Sequence, residues 1–377
     1  MSKECLYTDL ETCAEALDAA DTLACFRSEF LFPSSLKTET DEVVYLCGNS
    51  LGLQPKGLKS YVNEQLTKWG DEAVEGHFTQ PSQWLTIDDS VQESLARLVG
   101  ALPTEIVAMN SLTTNLHLMM CAFYKPTSTR NKILIEKKAF PSDYHVVYSQ
   151  IRQRGFDPSE SILEVAPREG GECILMDDIE ELINREGQSI ALVLLCGVQY
   201  YTGQLFDMAR ISKVSSAAGC VVGYDLAHAV GNVPLSLHDW GCDFACWCSY
   251  KYLNCGPGAI GGCFVHERHS AASSTNSELA TPLQLSESDV RLCGWWGHRI
   301  QDRFLMAPDF FPSAGAYGYR LSNPPVLLIS CLRASLDLFD KVFCDNIFES
   351  KLFIFYNSLE LLLISTFLLF LRLVFRN

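Results

Sequence analysis

Residues 190–196, Ile-Ala-Leu-Val-Leu-Leu-Cys, are apolar without interruption. A strand with one wet face alternates apolar and polar residues; an unbroken apolar run fits a parallel strand covered on both faces. Similar short runs recur at Lys132–Glu136, Val221–Asp225, Asp243–Ser249 and Ala259–His266. Helix-like segments alternate with them, including one from about Lys56 to Trp69 and one from Asp207 to Ala218. This alternation predicts an α/β fold with a largely parallel sheet flanked by helices. Residues 1–40 read as helices with an acidic face, and no internal repeat is present.

The chain has 377 residues, 48% of them hydrophobic and 20% charged, enough for one large domain and a smaller one. Its formal net charge of -16 and the lack of a basic stripe argue against nucleic acid as a partner. None of the 16 cysteines forms a C-x-x-C pair, so neither a metal site nor a disulfide framework is expected. The opening Met1-Ser-Lys-Glu-Cys5 lacks the apolar core of a signal peptide, and the expected location is the reducing cytoplasm. Residues 270–289 are small, polar and aperiodic, as in an exposed loop. The apolar stretch Leu361–Leu371 falls short of the roughly 20 residues that cross a bilayer, so no membrane partner is expected.

In open α/β sheets, ligands bind beyond the carboxyl ends of the strands. One strand ends here in Asp225, with His228 three residues on, and the next leads through Ser249 and Tyr250 to Lys251. An acid and a lysine so placed suit pyridoxal 5'-phosphate (PLP), whose aldehyde couples to a lysine and whose ring nitrogen is held protonated by a carboxylate. Each residue also has an ordinary reading: Asp225 as a helix cap, His228 as a half-buried histidine, Lys251 as a surface lysine at a strand exit. The run Asn110-Ser-Leu-Thr-Thr-Asn115 ahead of an apolar helix could cap that helix or receive a phosphate. Phe140-Pro141-Ser142-Asp143 follows a strand, where Phe140 could stack on a ring and Asp143 line a site. Spacing alone assigns no role to Gly76-His77, Trp295-Trp296-Gly-His298 or Ser322-Asn323.

These runs, with Leu46-Cys-Gly-Asn-Ser50-Leu-Gly-Leu-Gln-Pro-Lys56, closely resemble kynureninase, a PLP enzyme of fold type I. The resemblance implies a PLP-dependent hydrolase acting on C–C bonds in ketonic substances. It would cleave L-kynurenine or 3-hydroxykynurenine to anthranilate or 3-hydroxyanthranilate plus L-alanine, in tryptophan catabolism and de novo NAD biosynthesis. It further implies that Lys251 carries the imine link to PLP, with Tyr250 assisting, and that Asp225 pairs with the ring nitrogen beside His228. Leu112, Thr113 and Tyr250 would hold the phosphate end; Phe140, Pro141, Ser142 and Asp143 would line the ring. Trp295 and Asn323 would complete the cofactor pocket, some of these groups reaching across a homodimer interface. Ser50, His77 and Asn323 would face the substrate. Another PLP enzyme of this fold, such as a cysteine desulfurase, is disfavoured by the Ser50, His77 and Asn323 runs.

Three departures from the family pattern stand out. Cys196 occupies a position where the family usually has serine, a cofactor contact; a thiol is the weaker partner, so PLP binding should weaken. Residues 270–289 read as an insertion ahead of Trp295. The family carries a substrate-binding arginine in a small C-terminal domain, whereas the arginines after Asn323 here, Arg333, Arg372 and Arg376, match no such motif. The expected organisation is an N-terminal arm and substrate-side loop over 1–60, a PLP-binding α/β domain over 61–330, and the start of a largely missing C-terminal domain over 331–377. An alternative reading is an impaired form that binds PLP or dimerises without turnover.

Overall fold

The structure is a computed structural model, and it describes residues 10–33, 43–270 and 291–344. The expected insertion at 270–289, apart from Ser270, and the apolar tail lie outside the described residues. Two short strands, β1 (Phe30–Leu31) and β2 (Gln54–Pro55), pair antiparallel. The main sheet has seven strands: β3 (Ile106–Ala108), β4 (Lys132–Glu136), β5 (Ile162–Val165), β6 (Ile190–Cys196), β7 (Val221–Asp225), β8 (Phe244–Cys248) and β9 (Gly261–Val265). Their order is β3-β9-β8-β7-β6-β4-β5. The block from β8 to β5 is parallel, while β9 runs antiparallel to both neighbours. The helices are α1 (Leu10–Ala20), α2 (Leu58–Glu72), α3 (Asp89–Val99), α4 (Leu112–Phe123), α5 (Pro141–Gln153), α6 (Pro158–Ser161), α7 (Met176–Glu186), α8 (Met208–Ala217), α9 (Leu237–Trp240), α10 (Ile300–Arg303) and α11 (Val326–Cys344). This is the fold class read from the sequence, and three strands keep the very limits that the apolar runs gave.

The doubly covered strands divide the core in two. From β6, Ile190, Val193 and Leu195 pack with α3, α7, α8 and α11 through Leu95, Ile183, Ile211 and Ile329. Ala191, Leu192 and Leu194 join Leu116, Met119 and Val147 of α4 and α5 on the other face. Each fully buried Leu or Ile contributes roughly 1.5–3 kcal/mol, so an uninterrupted run is what a strand between two helical layers requires. Asp207 caps α8 by accepting from Arg210 N–H, which starts that helix one residue later than the pattern suggests. No described helix is long and apolar enough to cross a membrane.

Two local devices fix loops outside the main sheet. The buried Lys68 of α2 donates to the carbonyls of Thr79 (2.6 Å), Pro81 (2.8 Å) and Ser82 (3.2 Å), fixing the loop that follows His77. Gly52 N–H donates to Tyr250 O at 2.8 Å, and Asn254 Nδ2 to Leu53 O at 2.9 Å. A Cβ at position 52 would come within 2.2 Å of Lys251 O, so only glycine permits this approach.

Candidate active site

The parallel strands β4, β6 and β7 lie side by side and end in Glu136, Cys196 and Asp225. Cys196 and Asp225 are register partners, so the three side chains form a row along the sheet edge. Asp143, in the first turn of α5, is hydrogen-bonded to Asp225 and closes the group. All four line one cleft, and Glu136, Asp143 and Asp225 are buried. Burial raises the pKa of Asp225, and burial with the Asp225 charge raises that of Asp143 well above the usual carboxylate range. Burial lifts Glu136 to about 7, partly offset by a hydrogen bond from Cys196. The Cys196 thiol is itself pushed well up by burial and by Glu136. Asp143 Oδ1 has no hydrogen-bond partner, which is costly for a buried oxygen.

Lys251 enters the cleft from the turn after β8. Asn254, at φ 56°, completes that turn in the left-handed region that asparagine tolerates, donating its N–H to Lys251 O. Lys251 Nζ lies 2.9 Å from His228 Nε2 and 5.9 Å from the centre of the Phe140 ring. Burial and the Lys251 charge lower the His228 pKa to about 4, so at neutral pH the imidazole is uncharged and its Nε2 accepts from the ammonium. Burial raises the neighbouring Tyr250 hydroxyl to about 12, assisted by Cys248.

At the other end of the cleft, α4 begins at Leu112 after an extended Ser111. The Thr113 and Ser142 hydroxyls meet at 2.9 Å, tying the start of α4 to that of α5. Phe140 stands edge-on to Tyr200 at 5.2 Å. The donor set fits PLP. It offers a primary amine, the buried Asp225 carboxyl backed by Asp143 for a cationic ring nitrogen, and a helix N-terminus flanked by hydroxyls for a phosphate.

Leu112, Thr113, Phe140, Ser142, Asp143, Cys196, Asp225, His228, Tyr250 and Lys251 are thus brought together as the sequence suggests. Five other expected residues do not line this cleft. Pro141 occupies the exposed first turn of α5, where its fixed φ starts the helix. Ser50 is exposed in the loop clasped to the Lys251 turn. His77 packs edge-on to Trp84 at 5.4 Å. Trp295 donates its ring N–H to Arg303 O at 2.9 Å and is half exposed, and Asn323 is exposed ahead of α11. Sequence reasoning did not single out Glu136, Val198 or Tyr200 as lining residues. Glu136 carried the same signal as Asp225, an acid ending an apolar strand.

The class-V aminotransferase family profile matches residues 44–276. A kynureninase from Xanthomonas oryzae pv. oryzae (strain PXO99A) is 55% identical over 328 residues, covering 87% of this chain and 73% of the relative. Kynureninase from Xanthomonas campestris pv. campestris (strain B100) is 53% identical over the same shares. Among solved structures, the cysteine desulfurase CsdA from Escherichia coli superposes with a TM-score of 0.63 at 16% identity, over 85% of this chain and 72% of that one. A C-DES mutant with glycine covalently linked to its PLP cofactor gives 0.62 at 16% identity, over 84% and 74%. At that identity the solved structures speak for the fold, and the Xanthomonas relatives speak for more: this chain belongs to the kynureninase family, PLP-dependent hydrolases related to the class-V aminotransferases.

Proposed function

We propose that the chain hydrolyses the Cβ–Cγ bond of L-kynurenine and 3-hydroxy-L-kynurenine, releasing L-alanine and anthranilate or 3-hydroxyanthranilate, within tryptophan catabolism and de novo NAD biosynthesis. The observation that carries the reading is the placing of Lys251 Nζ against neutral His228, in one cleft with the Asp143–Asp225 pair. Bound there, PLP supplies an electron sink for charge developing on the substrate carbons next to its imine. Asp225 holds the ring nitrogen protonated, with Asp143 as its second acid. Thr113, Ser142 and the α4 N-terminus would hold the phosphate, and Phe140 would lie against the ring. Lys251 Nζ, as a free amine facing the cleft, would take the proton from substrate Cα. His228 Nε2 keeps that amine in register, and the protonated Tyr250 hydroxyl stands by as a proton donor. A water adds at the Cγ carbonyl, whose carbon leaves as the aryl carboxylate.

Trp295 and Asn323, which stand away from their own cleft, would serve the cleft of a second copy, making the working form a homodimer in the cytoplasm. Ser50 and His77 would meet the substrate at the cleft mouth, on the loops held by Gly52 and Lys68. The test is an absorbance spectrum of the purified chain with PLP, followed by L-kynurenine in the same cuvette. A visible cofactor band followed by anthranilate fluorescence is the expected result. A band with no product from either substrate would reject the activity and leave a cofactor-binding protein.

A further inference from the structure

Glu136 has no part in the reaction as laid out above, yet it is one of the most enclosed acids in the molecule, with 3% of its surface exposed. It ends β4, as Cys196 and Asp225 end the next two strands of the sheet. The Cys196 thiol donates to its carboxyl, and Cys196 is in register with Asp225. The side chain is therefore one link removed from the acid that faces the ring nitrogen. The titratable groups around it are Cys196 on β6, Asp225 and His228 at and beyond the end of β7, Asp143 on α5, and Tyr250 and Lys251 beyond β8. Lys251 is the one cation among them, and His228 holds it.

We propose that Glu136 is a positioning residue for the cofactor ring: through the Cys196 thiol and the adjoining Asp225, it sets the negative charge that the sheet edge presents to the ring nitrogen. This rests on the reading of Asp225 as the partner of that nitrogen. With its proton on, Glu136 leaves Asp225 free to ionise against the ring, because three neighbouring carboxylates would repel one another. With its proton off, it adds a second charge behind Asp225 and tightens the hold on a cationic ring. Burial lifts its pKa to about 7, which puts this exchange within the neutral range.

The probe is pyridoxamine 5'-phosphate, which has the ring nitrogen and phosphate of PLP but no aldehyde to couple to Lys251. Its dissociation constant is measured by calorimetry for the wild-type chain and for Glu136→Gln, at about pH 6 and about pH 8, either side of the carboxyl's titration. Glutamine copies the protonated acid, so equal affinities are expected at the lower pH. At the higher pH the wild type should bind at least about fivefold more tightly, the effect of one unit charge at short range in a partly screened site. Equal affinities at both pH values, or a constant offset such as a merely structural role would give, would overturn the proposal. Should Glu136→Gln not fold, Cys196→Ala removes the thiol donor and should move the midpoint of the wild-type pH dependence upward; an unmoved midpoint also overturns it. If instead Asp225→Ala binds the probe as tightly as the wild type, the ring-nitrogen reading fails, separately from any role of Glu136.

Discussion

Buried acids sit at both ends of the main sheet, and they are treated differently. At the edge away from the cleft, fully buried Glu105 accepts from Leu102 N–H (2.9 Å), Glu267 N–H (2.8 Å) and His238 Nδ1 (3.0 Å). Nearby, Asp243 accepts from Val222 N–H (2.7 Å), Arg268 Nη2 (2.7 Å) and His269 Nε2 (2.6 Å). Burial pushes the Asp243 carboxyl up, but these donors outweigh it and hold the group below its ordinary range. At the carboxyl end, Glu136, Asp143 and Asp225 face one another, and one oxygen has no partner. Burial is common to both ends; the difference is whether the chain itself supplies the donors. Where it does, the acid is a rivet. Where it does not, the missing donor is left to a ligand, and stability is given up to keep the place ready.

Several substitutions can break or sharpen that contrast. The largest effect is expected for Lys251→Ala, which should abolish the visible PLP band and lower turnover by at least about 10³-fold, since on the proposed function it removes both the covalent anchor and the proton carrier. The melting temperature of the cofactor-free protein should hardly move; a large drop would make Lys251 a structural residue. Next is Asp243→Ala at the opposite edge. It leaves the buried Val222 N–H without an acceptor and removes the carboxylate that Arg268 and His269 share, and should cost about 3 kcal/mol in urea denaturation, while the protein that remains folded binds PLP normally. Loss of PLP affinity without loss of stability would erase the distinction between the two ends.

Third comes a dependence on pH. Glu136 is raised from 4.5 to about 7 in the folded chain, so the folded state holds a proton that the unfolded state releases. Its contribution is fully present below about pH 4.5 and is lost as pH rises through about 7, a change on the order of 3 kcal/mol for a group this buried. Glu136→Gln should flatten that part of the stability profile of the cofactor-free protein, and parallel profiles for the two proteins would refute the assignment. The smallest effect is expected for Cys196→Ser. A hydroxyl in place of the thiol should improve PLP affinity by a few-fold, about 1 kcal/mol. An unchanged dissociation constant would mean that the thiol does not limit binding.

The sheet was legible because its strands are covered on both faces: Lys132–Glu136, Ile190–Cys196 and Val221–Asp225 could be delimited by hydrophobicity alone. The lysine and its acid were legible because they end such strands. Glu136 ends one too, but an acid after an apolar run reads equally well as the point where a strand meets water, and only the sheet order places it beside Cys196. The satisfied Glu105 was invisible for a related reason, since its donors come from residues 102, 238 and 267 and no local spacing joins them. Trp295 and Asn323 were named from resemblance, and neither lines the cleft of this chain.

The contact of Gly52 with the Lys251 turn reaches further than local packing. Because the backbone at position 52 lies flush against the turn that bears Lys251, the loop holding Ser50 and the lysine form one machined part. A designer who reshapes that loop to admit a new substrate will also re-aim the amine. Among the described residues, the loop pinned by Lys68 makes no such contact with the Lys251 turn, so on the proposed function it is the first place to seek a change of specificity.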